Sequence, residues 1–239
     1  MRAKSLLFVV IGITAAALLV IFSLYNGYLR FNYPTLSQFP VQGIDISNHQ
    51  KQIRWDDIDK RQVSFVFIKA TEGGDFKDKS FHANWTAARE RGFIVGAYHF
   101  FTFCKSGEEQ AKNFIETVPL EPNTLPPVID LEYGGNCQLT SDKALVLAEI
   151  AVLINRLEDF YHKKPILYVT SEFYNDFVAY KFDNNPIWIR DIYKQPALVD
   201  SREWTLWQYA NRGHLDGIDT FVDLNVFHGT EQQFKTLIE

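Results

Sequence analysis

The stretch Pro126-Pro127-Val128-Ile129-Asp130-Leu131-Glu132-Tyr133 decides how this chain is read. Val128, Ile129 and Leu131 have the character of a buried strand, and the paired prolines punctuate its entry. Side chains at i and i+2 of a strand point to the same face, so Asp130 and Glu132 should stand together at the strand's end. Two carboxylates held close cannot both ionise at their free pKa values, and one keeps its proton to higher pH. An acid beside an anion is the equipment for breaking a glycosidic bond. A solvated strand end with two exposed acids fits the same triplet, so the rest of the chain has to choose.

Outward from this stretch the chain alternates. Residues 43–47 read as a short strand and turn. Residues 55–61 read as a helix, with Asp56, Asp57 and Asp59 near its start, where the macrodipole favours acids. Residues 64–70 are a near-continuous apolar run, as expected of a strand covered on both faces. A helix over 81–91 stops at Gly92. Residues 93–101 form the next strand, 107–117 a helix and 128–132 the fourth strand. Thr140 or Ser141 caps a helix running to about His162, and 165–170 is the fifth strand. Residues 173–180 are aromatic and pack as core or as a short helix. Beyond them 187–190, 205–209 and 220–225 are strand-like, separated by short Gly/Asn-rich gaps. This α/β pattern of eight strands predicts a closed, TIM-like barrel that has lost some helices. A doubly wound open sheet is the alternative, but no Gly-rich phosphate loop follows the first strand.

The N-terminus stands apart from this pattern. Residues 6–24 carry no charge and follow Arg2 and Lys4, and the run is about the length a bilayer-spanning helix needs. A cleaved signal peptide has a shorter apolar core followed by a small-residue site. Here Ala15-Ala16-Ala17 lies inside the run, and Phe22-Ser23-Leu24-Tyr25-Asn26 offers no such site. An uncleaved anchor is therefore preferred over a signal peptide, with the N-terminus in the cytoplasm and the body outside it. The expected organisation is a cytoplasmic stub and membrane anchor over 1–30, a linker over 31–42 stiffened by Pro34 and Pro40, and a catalytic domain over 43–239.

Arg2, Lys4 and Arg30 are the only charges before residue 31, so the body is more acidic than the chain's net charge of -5. No basic stripe is available to neutralise phosphates, which argues against a nucleic-acid partner. The chain's 2 cysteines, Cys104 and Cys137, show no C-x-x-C or Cys/His ligand spacing, which speaks against a zinc site. Each follows a strand-like run by a few residues. If those strands are parallel neighbours, both cysteines lie beyond one end of the sheet, and outside the cytoplasm they can pair. Two free thiols are the alternative.

In parallel barrels the site lies at the C-terminal ends of the strands. Here those ends carry Asp45; Lys69 and Glu72; Tyr98 and His99; Asp130 and Glu132; Tyr168 and Thr170; Trp188 and Arg190; Trp207 to Tyr209; and Asp223 with Asn225. Random placement would rarely put polar or aromatic groups at so many strand ends. Taken singly, several have plainer readings. His99 fits a satisfied core histidine, Lys69 an ion pair with Glu72 or Asp45, Trp188 and Trp207 core, and Asp223 with Asn225 a turn. Asp191 and Asp219 read as solvent or hinge residues.

These residues fall within blocks that resemble a known family. The blocks are Gly43-Ile44-Asp45-Ile46-Ser47 with Gln50, Lys69-Ala70-Thr71-Glu72-Gly73, Gly96-Ala97-Tyr98-His99-Phe100, Asp130-Leu131-Glu132, Trp207-Gln208-Tyr209 and Val222-Asp223-Leu224-Asn225-Val226-Phe227. In this order they resemble the signature blocks of glycoside hydrolase family 25, the Chalaropsis-type lysozymes or N-acetylmuramidases. Any one block is weak; the whole set in register, over residues 43 to about 228, is specific.

The resemblance implies a (β/α)5(β)3 barrel and hydrolysis of the β-1,4 bond between N-acetylmuramic acid and N-acetylglucosamine in peptidoglycan. It maps the family's acidic positions onto Asp45, Asp130, Glu132 and Asp223. Glu132 is the expected general acid. Asp130 is expected to stay anionic, stabilising an oxocarbenium-like centre or orienting the substrate's 2-acetamido group as internal nucleophile. Asp45 and Asp223 would position that group or tune Glu132. Tyr98, Tyr168, Trp188, Arg190, Trp207 and Gln208 are the expected substrate-binding residues, and no metal or organic cofactor is called for. Two departures stand out. Members often have glycine after the glutamine, where this chain has Lys51, and a small residue is common in place of Arg190. Arg190 would narrow the site or add a contact to an anionic substrate group.

The D-x-x-D-x-D-x-E pattern of family 18 chitinases is absent, since Pro127 and Val128 precede Ile129-Asp130. A chitinase-like or N-acetylglucosaminidase activity remains an alternative, as does a glycan-binding protein on an inactive lysozyme fold. The expected setting is a monomeric, single-pass protein of a bacterial inner membrane with its catalytic domain in the periplasm.

Overall fold

Near-continuous apolar strands have to be covered on both faces, and this chain covers them by closing its sheet. The computed structural model describes residues 2–138 and 142–239. Along the chain run α1 (Arg2–Tyr25), β1 (Gln42–Ile46), β2 (Phe65–Glu72), β3 (Phe76–Lys77), α2 (Phe81–Glu90), β4 (Ile94–Phe100), α3 (Gly107–Ile115) and β5 (Val128–Leu131). Then follow α4 (Lys143–Tyr161), β6 (Ile166–Thr170), α5 (Ser171–Phe173), β7 (Ile187–Arg190), β8 (Leu206–Leu215), β9 (Ile218–Phe227) and α6 (Glu231–Lys235). The sheet order is β1-β9-β8-β7-β6-β5-β4-β2, with β3 hung on β2, and pairing of β1 with β2 closes the barrel. Barrel neighbours from β1 through β8 are parallel; β9 runs against both β8 and β1, and the short β3 runs against β2.

The two-residue period of each strand sorts its side chains into two cores. Phe65, Phe67, Val128, Ile166, Tyr168, Trp188, Leu206 and Phe227 fill the barrel interior. The alternating residues Val66, Ile68, Ile129, Leu131, Leu167, Val169, Ile187 and Ile189 face outward and pack against the helices. Phe234 of α6 closes the bottom, its ring 5.3 Å from Phe65 and 5.2 Å from Phe227. Gly96 makes room for this filling: a Cβ there would lie 2.4 Å from the Phe67 ring.

The helix expected over 55–61 is only a single 3-10 turn, Trp55–Asp57. Its acids are drawn elsewhere, Asp56 to Arg91 and Asp57 to Arg54, while Trp55 and Ile58 are buried and anchor the segment. β3 was not foreseen. The strands expected at 205–209 and 220–225 are longer and form one hairpin, in which Leu215 faces Ile218 across Asp216 and Gly217. Residues 171–178 form one turn of α-helix and a π turn, burying Phe173, Tyr174 and Phe177. The cap expected at Thr140 or Ser141 lies outside the described residues; Asp142 caps α4, accepting from the Ala144 N–H at 3.2 Å.

The segment 31–42 is only partly a linker, because Phe39 and Val41 are buried in the body and β1 begins at Gln42. Within α1, Leu6–Tyr25 is long and apolar enough to cross a membrane by length and composition, and none of it is buried. Its C-terminal end meets the β8–β9 hairpin. The Arg212 guanidinium donates to the Tyr25 carbonyl, His214 Nε2 lies 2.7 Å from the Asn26 carbonyl, and the Tyr28 ring stacks on His214 at 5.3 Å.

Candidate active site

Interior positions near the C-terminal ends of the parallel strands are where the filling side chains stop, and a cavity of about 500 Å³ opens there. Asp45, Asp130, Glu132 and Asp223 line it, together with Tyr98, Tyr168, Trp188, Arg190 and Gln208. β1 supplies Asp45 and β9 supplies Asp223 directly opposite, so the antiparallel last strand brings its mid-strand acid to the mouth of the first.

A hydrogen-bonded network fixes this pair from beneath. Tyr168 Oη donates to Gln208 Oε1 at 3.0 Å, and Gln208 Nε2 donates to Asp45 Oδ2 at 2.9 Å. Trp188 Nε1 donates to Asn225 Oδ1 at 2.9 Å, and Asn225 Nδ2 donates to the same Asp45 oxygen at 2.8 Å. Burial raises the Asp45 pKa, while the N–H groups of Asn225 and Gln208 counter it. Burial first, and the Asp45 charge second, hold Asp223 well above the usual carboxylate range.

Asp130 and Glu132 form the second pair. Asp130 is buried, and its Oδ1 has no hydrogen-bond partner. Burial first, and the neighbouring Glu132 charge second, push its pKa well above the ordinary value. Glu132, one residue past the end of β5, is more open. Burial raises it too, and Arg190 pulls it back down. Asp130 is the deeper of the two: its side chain points into the barrel, where little solvates a charge, while Glu132 stands nearer the opening.

The structure brings together nearly all of the anticipated residues. Trp207 is the exception. It neighbours Gln208 on β8 and so faces outward, packing on Phe39, Trp204 and Tyr209 and donating from Nε1 to the Asp191 carbonyl at 2.8 Å. Trp188 is both core and cavity wall, with its ring 4.7 Å from Phe67. His99 is a core residue. Nε2 donates to Gln110 Oε1 at 3.0 Å, Nδ1 accepts from Thr71 Oγ1 at 2.7 Å, and burial lowers its pKa to about 4. Lys69 pairs with Glu72 at 2.7 Å. Asp219 binds Arg54 on the surface, and Asp191 caps a turn through the N–H groups of Tyr193 and Lys194. Asp223 and Asn225 belong to β9, not to a turn.

The sequence reading passed over Asn211 and Gly134 in the wall and did not place Asn225 under Asp45. Alternation along β9 carries the Asn225 signal, since Asp223 and Asn225 share a face. It also passed over Asn136. Its Nδ2 donates to the carbonyls of Phe101 and Glu132 at 2.8 and 3.0 Å, and its Oδ1 accepts from Phe103 and Cys137 N–H at 3.0 and 2.9 Å. The neighbouring Cys137 is joined to Cys104 by a disulfide, Cα–Cα 6.0 Å, across the rim of the cavity. Among the described residues no cluster of His, Cys, Asp and Glu is arranged to hold a metal ion.

Four carboxyl groups with raised pKa values, gathered in one cavity at the rim of a TIM-like barrel, define a glycosidase-type site. The comparisons agree: residues 44–218 match Glycosyl hydrolases family 25, and the chain belongs to that family. A solved family 25 glycosyl hydrolase from Bacillus anthracis is similar at 40% identity and a TM-score of 0.83, covering 88% of this chain and 98% of that one. Lysozyme M1 of Streptomyces globisporus is 32% identical over 82% of this chain and 71% of its own length. The uncharacterized protein YegX of Escherichia coli (strain K12) is 34% identical over 85% of this chain and 75% of its own length. The chain is thus a glycoside hydrolase.

Proposed function

We propose that this chain is a lysozyme-type N-acetylmuramidase that hydrolyses the β-1,4 bond between N-acetylmuramic acid and N-acetylglucosamine in peptidoglycan. The carrying observation is the cavity itself, where two carboxyl pairs with raised pKa values meet in a family 25 barrel. Similarity to Lysozyme M1 supports the substrate class.

Glu132, the more open member of its pair, is the general acid for the leaving oxygen. Asp130, deeper, faces the reacting sugar. An acetamido N–H donated to Asp130 favours its anion, and the proton of the pair then passes to Glu132, ready for transfer. Asp130 orients the acetamido group or stabilises positive charge at the anomeric carbon. Asp45, held by Gln208 and Asn225, and Asp223 set the charge of the floor.

We assign the body to the periplasmic face of the bacterial inner membrane, tethered by α1. The apolar length of α1 supports the tether, and the disulfide at the rim fits an oxidising compartment. Glu132→Gln should lower turnover of purified peptidoglycan by about 10²- to 10⁴-fold with thermal unfolding unchanged. Turnover retained in a folded variant would contradict the assignment.

A further inference from the structure

A second cavity, of about 560 Å³, lies between the end of α1 and the barrel. Its walls come from both parts: Ile21, Leu24 and Phe31 on the anchor side and Arg190, Asn211 and Arg212 on the barrel side, with Arg30 between them. Arg190 and Asn211 also line the catalytic cavity, so the two spaces share a wall. Their charges are opposite in character. The catalytic cavity carries Asp45, Asp130, Glu132 and Asp223 against Arg190 alone, whereas the second carries Arg30, Arg190 and Arg212 and no carboxylate. Among the described residues none of these arginines makes a salt bridge. Arg190 already faces the acids of the catalytic cavity, which leaves Arg30 and Arg212 without a carboxylate partner and suited to an anion from outside the chain.

The apolar part of the wall says what carries that anion. Ile21 and Leu24 belong to the last turns of the apolar helix, so this cavity opens where the hydrocarbon of a bilayer meets water. We infer that it binds the phosphate and adjoining hydrocarbon of a lipid-linked glycan, an oligosaccharide joined through phosphate to a membrane chain, and delivers the sugar past Arg190 and Asn211 to the acids. A phospholipid headgroup alone would satisfy the guanidinium groups but would leave the connection to the catalytic cavity without a role. The inference rests on the membrane tether proposed above. The bond broken is the glycosidic bond of the hydrolase reaction, with one water added across it.

The test uses the full chain carrying Glu132→Gln, in bilayer discs of zwitterionic lipid, with binding to empty discs subtracted. The probes are a muramic acid–glucosamine tetrasaccharide linked through diphosphate to a long hydrocarbon chain, the same tetrasaccharide free, and the hydrocarbon diphosphate alone. The linked glycan should bind at least ten-fold more tightly than either part. Arg30→Glu and Arg212→Glu should each remove that gain while leaving the free tetrasaccharide unaffected, which also reports that the catalytic cavity is intact. Equal affinity for linked and free glycan, affinity fully accounted for by the hydrocarbon diphosphate, or indifference to both substitutions would overturn the inference. Absence of hydrolysis by the unsubstituted chain would count against the muramidase reading alone, because these readouts are of binding.

Discussion

Asp130 and Glu132 leave one strand two positions apart and meet different surroundings. Asp130 is buried with an unpartnered oxygen, and Glu132 stands nearer the opening under the influence of Arg190. A carboxyl whose folded pKa is raised favours folding fully below its unfolded value, and that contribution is lost as pH rises through the folded pKa. Asp130 therefore burdens the fold at neutral pH. Asp130→Asn should stabilise the protein by about 1–2 kcal/mol at pH 7 while abolishing efficient turnover, and the gain should shrink towards pH 4. Thermal unfolding across that range checks it, and a gain that grows on acidification would reverse the sign. Lys51 marks another local conflict. Its φ is 56°, in the left-handed region that favours glycine, and this explains why the resemblance leads one to expect glycine after Gln50. Lys51→Gly should stabilise by about 1 kcal/mol, read from denaturant midpoints. Gln50 itself is structural: it accepts from the Ser47 N–H at 2.8 Å and donates to the Phe221 carbonyl at 3.0 Å.

At the scale of elements, the strand-end rule made most of the site legible. Asp45, Tyr98, Asp130, Tyr168, Trp188, Arg190 and Gln208 line one cavity because parallel strands bring their C-terminal ends to one rim, and Asp223 joins them from the middle of antiparallel β9. Trp207 was misplaced because the rule names an end and not a face; strict alternation with Gln208 would have sent it outward. The β8–β9 hairpin was read as two short strands although Asp216-Gly217 is a strong two-residue turn signal. The 55–61 helix failed in part because Asp56 is committed to Arg91, a distant partner that no local pattern reveals, while Asp57 pairs back to Arg54. Asn136 was invisible for a similar reason, since its role lies in bridging the loops after β4 and β5. Asn136→Ala forfeits four hydrogen bonds beside Glu132 and should cost about 1–3 kcal/mol of stability, with kcat falling more than KM rises. Unchanged stability in chemical denaturation would show that the disulfide alone holds this loop.

For the whole molecule, the pattern of five strand–helix units followed by three strands led to the barrel because the covering of each strand is written in its own residues. How α1 sits against the barrel was not legible, since it depends on Arg212 and His214 in the unforeseen part of the hairpin. The same packing shows where a soluble fragment should begin. It has to keep Phe39 and Val41, which are buried, and can dispense with the exposed helix, so a start near residue 31 preserves the body. The measurement that bears most directly on the central claim is digestion of purified peptidoglycan by that fragment, with the new reducing ends identified by mass spectrometry. Products ending in N-acetylmuramic acid, absent with Glu132→Gln, are the predicted result. Products ending in N-acetylglucosamine, or none despite tight binding, would contradict it.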